Sequence, residues 1–560
     1  MMEALGVRKG NHMAPNKDKG FFTRRDFVKA TGAAAGAVAA ANILPSKAGA
    51  AIKDRIIVAH WQEPVQYNPL LYVNRGTENG PEAAMFDALW DMNEKGQFVA
   101  NLATEVPSRE NGRVSEDGRV WKIQLKRDVR WHDGQPFTAK DVAFTYETIM
   151  DSKTAVRSRS GFDLIKNLKT VDDYNVEIEL SEPYTPFLWS WQEMHIVPRH
   201  ILKDEPNINT SSFNSEPTGT GPFQYKSRTA GSHIVFERFD DYHRGAAKVK
   251  TLIQKTVPDT MVLYGQVKTG EVDYMMTSLP YDRWDEAAAL PDRTFIDLPL
   301  PWVQFIYFNC GKLQFSDPKV RKALYMAVEM QKSLDDIYLG RWKRTFSYLH
   351  TSHWAYNSSL KEETPNPQLA AKMLDEAGWK VGADGIREKN GEKMKFTMST
   401  TAGNTARQGC QALFQQNWKA IGVEMEIKNM PGSVVWGEYT TKSQFDTLLV
   451  AWAPIVGMDP DYTARAHSKF IPVKYGQGSN YVQYENTEVD RLLEKGAVQV
   501  DREGRKETYA EIQRILLEEV PFAPQGGVFG GFVRNKNLMG VKPNQYVTDS
   551  TWNVQDWYWS

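Results

Sequence analysis

The stretch NLATEVPSRENGRVSEDGRVWKIQLKRDVRWHDGQPFTAKDVAFTYE, residues 101–147, changes its hydrophobic period along its length. Trp121-Lys122-Ile123-Gln124-Leu125 alternates apolar and polar, the pattern of a half-buried strand. Trp131-His132-Asp133-Gly134 carries an Asp-Gly turn signal. Thr138-Ala139-Lys140-Asp141 then reads as a capping box, in which the Thr138 hydroxyl and the Asp141 carboxylate satisfy free amides at the start of the helix VAFTYETIM. A second alternating strand follows at Val176-Glu177-Ile178-Glu179-Leu180. Near the other end, Glu488 to Leu517 carries apolar residues at helical spacing: Val489, Leu492, Leu493, then Tyr509, Ile512, Leu516. Strand, turn and capped helix in this order predict a mixed α/β protein.

Outward from this stretch, the beginning of the chain reads differently. Thr23-Arg24-Arg25-Asp26-Phe27-Val28-Lys29 precedes a weakly apolar run from Ala30 to Ala41. That run is too short to span a bilayer, which takes about 20 apolar residues, and has the length of a signal-peptide core. The paired arginines resemble a twin-arginine export motif. Ala48-Gly49-Ala50 supplies a small-residue cleavage pattern, so residues 1–50 are expected to be a leader and the mature chain to begin near Ala51. No cysteine follows the apolar run, which excludes lipid anchoring at a processed cysteine.

The leader holds eight Lys/Arg and three acids, so its removal takes the formal charge from −1 to about −6. An acidic balance argues against nucleic acid or an anionic membrane as partner, since both need a clustered basic surface. Cys310 and Cys410 are the two cysteines. In an oxidising compartment they could form one disulfide or stay as unlinked thiols. The remaining chain is too long for one core, because single cores stop growing near about 250–300 residues. Two or three domains are expected, joined by short structured connections.

With these elements in place, the order of motifs becomes informative. Residues 101–147 resemble the most diagnostic block of the family 5 extracellular solute-binding proteins, receptors of ABC importers. Further blocks stand in that family's order: PTGTGPFQY (217–225), GQVKTGEVDY (265–274), FSDPKVRKALYMAVEM (315–330), NPQLAAKMLDEAGW (366–379) and SNYVQYENTEVDRLLEKG (479–496). The resemblance implies an α/β, two-lobed periplasmic binding protein fold of cluster C type, with ligand held in the cleft. Lobe I would comprise 51–95, 222–300 and 523–560, with an inserted subdomain at 96–221. Lobe II would be 301–522, and two crossing strands would act as a hinge. It further implies a monomeric periplasmic receptor that closes on a small-molecule ligand and delivers it to permease subunits, exported by the twin-arginine machinery. Such a receptor makes or breaks no bond and needs no cofactor and no metal.

Ligand-bordering residues carry over by position. Asn74, Arg75 and Gly76, in the loop after Tyr72, match a segment whose main chain borders the cleft; the plainer reading is a surface turn. Trp436 and Trp452 match two tryptophans beside the ligand in peptide-binding relatives. Many peptide receptors of the family place an aspartate just after the counterpart of Trp452, where it pairs with the peptide's α-ammonium. Here Ala453 to Met458 holds no carboxylate. Either another acid serves, Asp459 and Asp461 being nearest, or the ligand has no free amino terminus. Leu449 also replaces an arginine that contacts ligand in one branch. Peptides or peptide-like compounds therefore stand first, with an oligosaccharide or other amine-free solute second, since sugar faces stack on aromatic rings and the chain has 17 Trp.

An exported enzyme is the rival class. The sequence has no His-Glu-x-x-His, no Gly-x-Ser-x-Gly elbow, no phosphate loop and no Cys-x-x-Cys. His350 and His353 have a ligand-like spacing but read as surface-turn histidines without a third ligand. Pro217-Thr218-Gly219-Thr220-Gly221-Pro222 reads as a loop entering a strand.

Overall fold

Two long strands, Arg293–Phe308 and Phe522–Asn535, pair antiparallel along most of their length, from Arg293 opposite Asn535 to Tyr307 opposite Phe522. They are the middle of a sheet that, in the computed structural model, counts eleven strands among the described residues. The described residues are 53–64, 66–71, 82–156, 159–361, 364–453, 457–476, 478–547 and 550–560. The expected leader, with Arg24 and Arg25, lies outside them, as do Asn74, Arg75 and Gly76.

On one side of the crossing pair the sheet continues through Tyr274–Met275, Arg55–His60, Thr251–Thr256, His233–Arg238 and Phe223–Thr229. On the other it continues through Thr447–Trp452, Lys395–Ser399 and Glu424–Ile427. The register of the crossing pair breaks between Pro299 and Val303. Leu298-Pro299-Leu300-Pro301-Trp302 gives the cause: proline has no N–H for the ladder, so the run bulges.

The buried clusters divide at the same place. Trp90, Trp121, Trp131, Phe223 and Trp557 share a core with Ile56 and Leu252, and Tyr264 and Trp284 share another with Val533. Beyond the break, successive residues of one strand enter different cores: Ile306 and Phe308 pack with Leu324 and Trp418, whereas Val303, Phe305 and Tyr307 pack with Tyr462, Tyr509 and Phe522. Strand side chains alternate faces, so the sheet of this second lobe is covered on both sides. Each fully buried large side chain contributes about 1.5–3 kcal/mol.

The diagnostic stretch forms as read. Val120–Gln124 and Asn175–Leu180 pair antiparallel, with Trp121 opposite Ile178. The helix Ala139–Met150 begins with the predicted box: the Thr138 N–H donates to Asp141 Oδ2 at 2.9 Å, and Asp141 Oδ1 accepts from the Arg199 N–H at 3.0 Å. His132 fastens this region to the Pro217–Pro222 loop. Its Nδ1 accepts from the Gly219 N–H at 3.1 Å and its Nε2 faces the Gly221 carbonyl at 3.0 Å. Burial holds the ring neutral, at a pKa of about 4. A Cβ at Gly219 would collide with the Met85 carbonyl, which is why the loop is glycine before the strand Phe223–Thr229. The helical segment from Glu488 is two helices, Thr487–Val498 and Arg502–Glu519, because Asp501 caps a new start by accepting from Gly504.

Candidate functional site

A cavity of about 450 Å³ opens beside the crossing strands. His60 and Trp61 at the end of the strand Arg55–His60, Thr277 and Ser278, and Leu300, Pro301 and Trp302 of the bulge form its wall, with Lys542, Asn544 and Trp552. A smaller cavity, about 70 Å³, shares Pro301, Val547 and Trp552 with it. Its lining comes from both lobes: Asp87, Asp91, Glu193 and Arg244 on one side, Ala453, Gly457 and Met458 on the other. The two spaces adjoin at Pro301, Val547 and Trp552, beside the bulge of the crossing strands.

Acids gather on the first-lobe wall. Asp87 is buried and accepts from Tyr242 (3.0 Å), Asn101 (2.9 Å) and Thr220 (3.0 Å). Burial alone would raise its pKa, but the His243 hydrogen bond and charge outweigh it and hold the carboxyl well below the usual range. Asp91 pairs with Arg244 at 2.9 Å and accepts from Asn101, yet burial and the neighbouring Asp87 charge leave its pKa raised. Asp91 is thus a paired carboxylate at the cavity wall whose charged form burial disfavours.

On the second-lobe side, Trp436 and Trp452, the residues expected to border the ligand, lie against each other. Their rings meet edge to face, with centroids 5.6 Å apart. Trp452 ends the strand Thr447–Trp452 and sits opposite Val303, the first residue after the bulge. Neither ring lines the two cavities; Ala453, next in sequence, does. Leu449 is fully buried in the opposite face's core and does not approach the cleft.

Asp459 requires correction. Both its oxygens are taken by Arg505, Nη1 to Oδ2 at 2.9 Å and Nη2 to Oδ1 at 2.7 Å, and the pair is buried. Oδ1 also accepts from the Asp461 N–H at 3.0 Å, and Asp459 lines neither cavity, so its acceptors are spent inside the second lobe. Asp461 is likewise engaged: Thr463 donates to one oxygen and the Tyr184 hydroxyl to the other. Around Asp461 the lobes touch. The Thr185 N–H donates to the Ala497 carbonyl at 2.8 Å, and Met458 packs with Trp189 and Met92. Gly457 has φ +52° and a Cβ there would enter the Trp189 ring, so the close approach requires glycine.

His350 and His353 also differ from expectation: both are buried, not at a surface turn. His353 Nδ1 accepts from the Ala355 N–H, leaving Nε2–H to donate to the Met458 carbonyl at 2.9 Å. Cys310 and Cys410 are free thiols, the latter buried with its pKa pushed up to about 11.

A two-lobed sheet protein with an interlobe cleft invites comparison with proteins of that build. The family model of bacterial extracellular solute-binding proteins, family 5, matches residues 97–470. The chain belongs to this family. The oligopeptide-binding protein AppA of Bacillus subtilis is 26% identical over 514 residues, 90% of this chain and 91% of that protein. The dipeptide-binding protein of Escherichia coli is 25% identical, over 82% of this chain and 86% of its own length. The solved structure of B. subtilis AppA in complex with a nonapeptide has a TM-score of 0.79 at 25% identity, covering 91% of this chain and all of that one. That of NikZ from Campylobacter jejuni in complex with Ni(L-His) also has a TM-score of 0.79, at 27% identity, covering 90% and 99%. This family 5 chain thus keeps the mixed α/β, two-lobed fold of its relatives. Asp91, Arg244 and Trp302 escaped the sequence reading because they lie in no quoted motif; the two prolines flanking Leu300 were the one local signal of the bulge.

Proposed function

We propose that this family 5 protein is a periplasmic receptor that captures a peptide or peptide-like solute and delivers it to the permease of an ABC importer. The observation that carries this reading is the cleft wall contributed by both lobes, Asp91 and Glu193 facing Ala453 and Met458. A ligand touching both walls binds the closed arrangement better than the open one and shifts the population by that difference. Relatives named for oligopeptides and dipeptides support the peptide class. Trp436 and Trp452 would border the ligand, and Asp91 would serve the α-ammonium in place of Asp459. The lobe boundaries at about Pro301 and Phe522, a monomeric state, binding without catalysis, and a twin-arginine leader ending near Ala50 complete the reading.

Native mass spectrometry of the protein purified gently from its own periplasm tests it. Closed receptors retain ligand, and free ligand at a hundred times Kd adds about 2.7 kcal/mol of stability. Release of peptides on denaturation is the expected result; release of a sugar or an amine-free compound alone would replace the peptide class.

A further inference from the structure

Ile296, Leu298, Leu300 and Trp302 alternate along one crossing strand and so share a face, and all four line the cavity of about 450 Å³. That face is only half-buried, whereas the same strand beyond the bulge is covered on both sides. Met276 and Phe532 of the first-lobe core continue the wall, and Trp61 and Trp552 join it. Trp61 is 46% exposed. A contiguous apolar surface of this kind, left open by the protein's own side chains, marks a place where something else packs.

The polar residues of the wall already hold protein partners. The Thr277 hydroxyl accepts from the Trp61 N–H and the Ser278 hydroxyl from the Gly531 N–H, each at 3.1 Å. The Asn544 amide donates to the Met92 carbonyl while its oxygen accepts from the Tyr546 N–H, and the Trp552 indole N–H donates to the Lys542 carbonyl, each at 2.9 Å. Among the described residues, Lys542, itself exposed, is the one Asp, Glu, Lys or Arg in this lining. The smaller cavity beside it has Asp87, Asp91, Glu193 and Arg244. Charge gathers in one space and apolar surface in the other.

The larger cavity also lies where a solute reaches it. The strand Arg55–His60 runs parallel to Thr251–Thr256 and Tyr274–Met275, and His60, Trp61, Met276 and Thr277 stand at the carboxyl ends of this group, where open α/β sheets hold ligands. Pro301, Val547 and Trp552 line both cavities, so a solute in the smaller one extends directly into the larger. An apolar cavity of about 150 Å³ takes up benzene, and this one is about three times as large. We propose that it is the subsite for a large apolar group of the bound solute, an aromatic or long aliphatic side chain where the solute is a peptide. The inference rests on the receptor reading and deepens it: the receptor selects among peptides by side chain. It also disfavours an oligosaccharide, whose hydroxyls would lose water to a wall with its polar groups already engaged.

Trialanine and the three tripeptides that replace one of its alanines by phenylalanine, compared by isothermal calorimetry, test the subsite. In the wild type at least one phenylalanine peptide should bind about tenfold or more tightly than trialanine, the scale of burying one large apolar side chain. Trp302→Ala should lose most of that advantage, and Trp302→Phe, which keeps an aromatic wall, should retain most of it. Should Trp302→Ala fail to fold, Trp61→Ala repeats the test at a half-exposed ring. Equal binding of all four peptides by the wild type overturns the proposal, and so does an advantage that survives both Trp302→Ala and Trp61→Ala. Should none of the four bind, the peptide class fails, and benzyl alcohol, which carries the ring without a peptide group, decides the subsite alone by saturation-transfer NMR of its ring protons. Saturable binding in the wild type that is weakened in Trp302→Ala upholds it; binding equal in both, or absent from both, overturns it.

Discussion

The Tyr184 hydroxyl donates to Asp461 Oδ2 at 3.2 Å across the two lobes, inside a buried contact that Thr185 and Trp189 extend. The bond exists only while the lobes touch, so it belongs to the energy of the closed arrangement. Tyr184→Phe removes it and leaves the Asp461 oxygen unpaired. The expected cost is about 1–3 kcal/mol, or a ligand affinity weaker by roughly 5- to 150-fold. Calorimetry with the ligand released from the native protein measures it, and small-angle scattering should show an expanded empty form. Unchanged affinity would place the contact outside the closing motion.

Trp436→Ala and Trp452→Ala should each weaken ligand binding while leaving the Tm of the empty protein nearly intact, because both rings are half-buried at the lobe edge. An aromatic contact is worth about 0.5–1.5 kcal/mol beyond its area, so a loss of roughly three- to tenfold or more is expected. Isothermal calorimetry on both variants checks it; wild-type affinity in both would remove the pair from the site.

Breaking the Asp459–Arg505 pair from one side is expected to be severe. Arg505→Met leaves Asp459 buried with neither of its two guanidinium bonds, a cost of about 3–5 kcal/mol. Asp459→Asn should destabilise comparably yet leave ligand affinity of the folded fraction unchanged. Weakened binding in Asp459→Asn at full folding would restore Asp459 to the ligand's surroundings.

The buried histidines set an acid limit. Burial depresses His350 and His353 from 6.5 to about 4. A histidine depressed in the fold binds its proton more readily when unfolded, so its stability is present above pH 6.5 and lost as pH falls towards 4. Each ring accounts for roughly 3 kcal/mol over that window. Denaturant midpoints between pH 7 and 4 should fall steeply in the wild type and less steeply in His353→Gln. Equal slopes in the two would mean that His353 does not couple folding to protons.

Much of the architecture was legible in the residues. The alternation at Trp121–Leu125, the box at Thr138 and the order of blocks sufficed for the α/β class and the two lobes, because periodicity and caps act over a few residues. The resemblance singled out Trp436 and Trp452 one by one, but their edge-to-face contact came only from the fold. Asp459 was not: nothing near it in sequence announces that Arg505, 46 residues later, takes both oxygens. His350 and His353 read as exposed for the same reason, since their burial against Phe529 and Met458 is set by segments far along the chain.

What the sequence by itself determined is therefore local: which segments form strands and helices, where proline interrupts the crossing pair, and which family's motif order the chain follows. The tertiary structure alone decided which charges are spent and which remain. Asp459 is paired with Arg505 and Asp461 accepts from Tyr184 of the other lobe, whereas Arg465 is left over Trp452 without a counter-ion among the described residues. Pairing of charges is a property of distance in space, and in a chain folded through two lobes that distance is not a function of separation along the sequence.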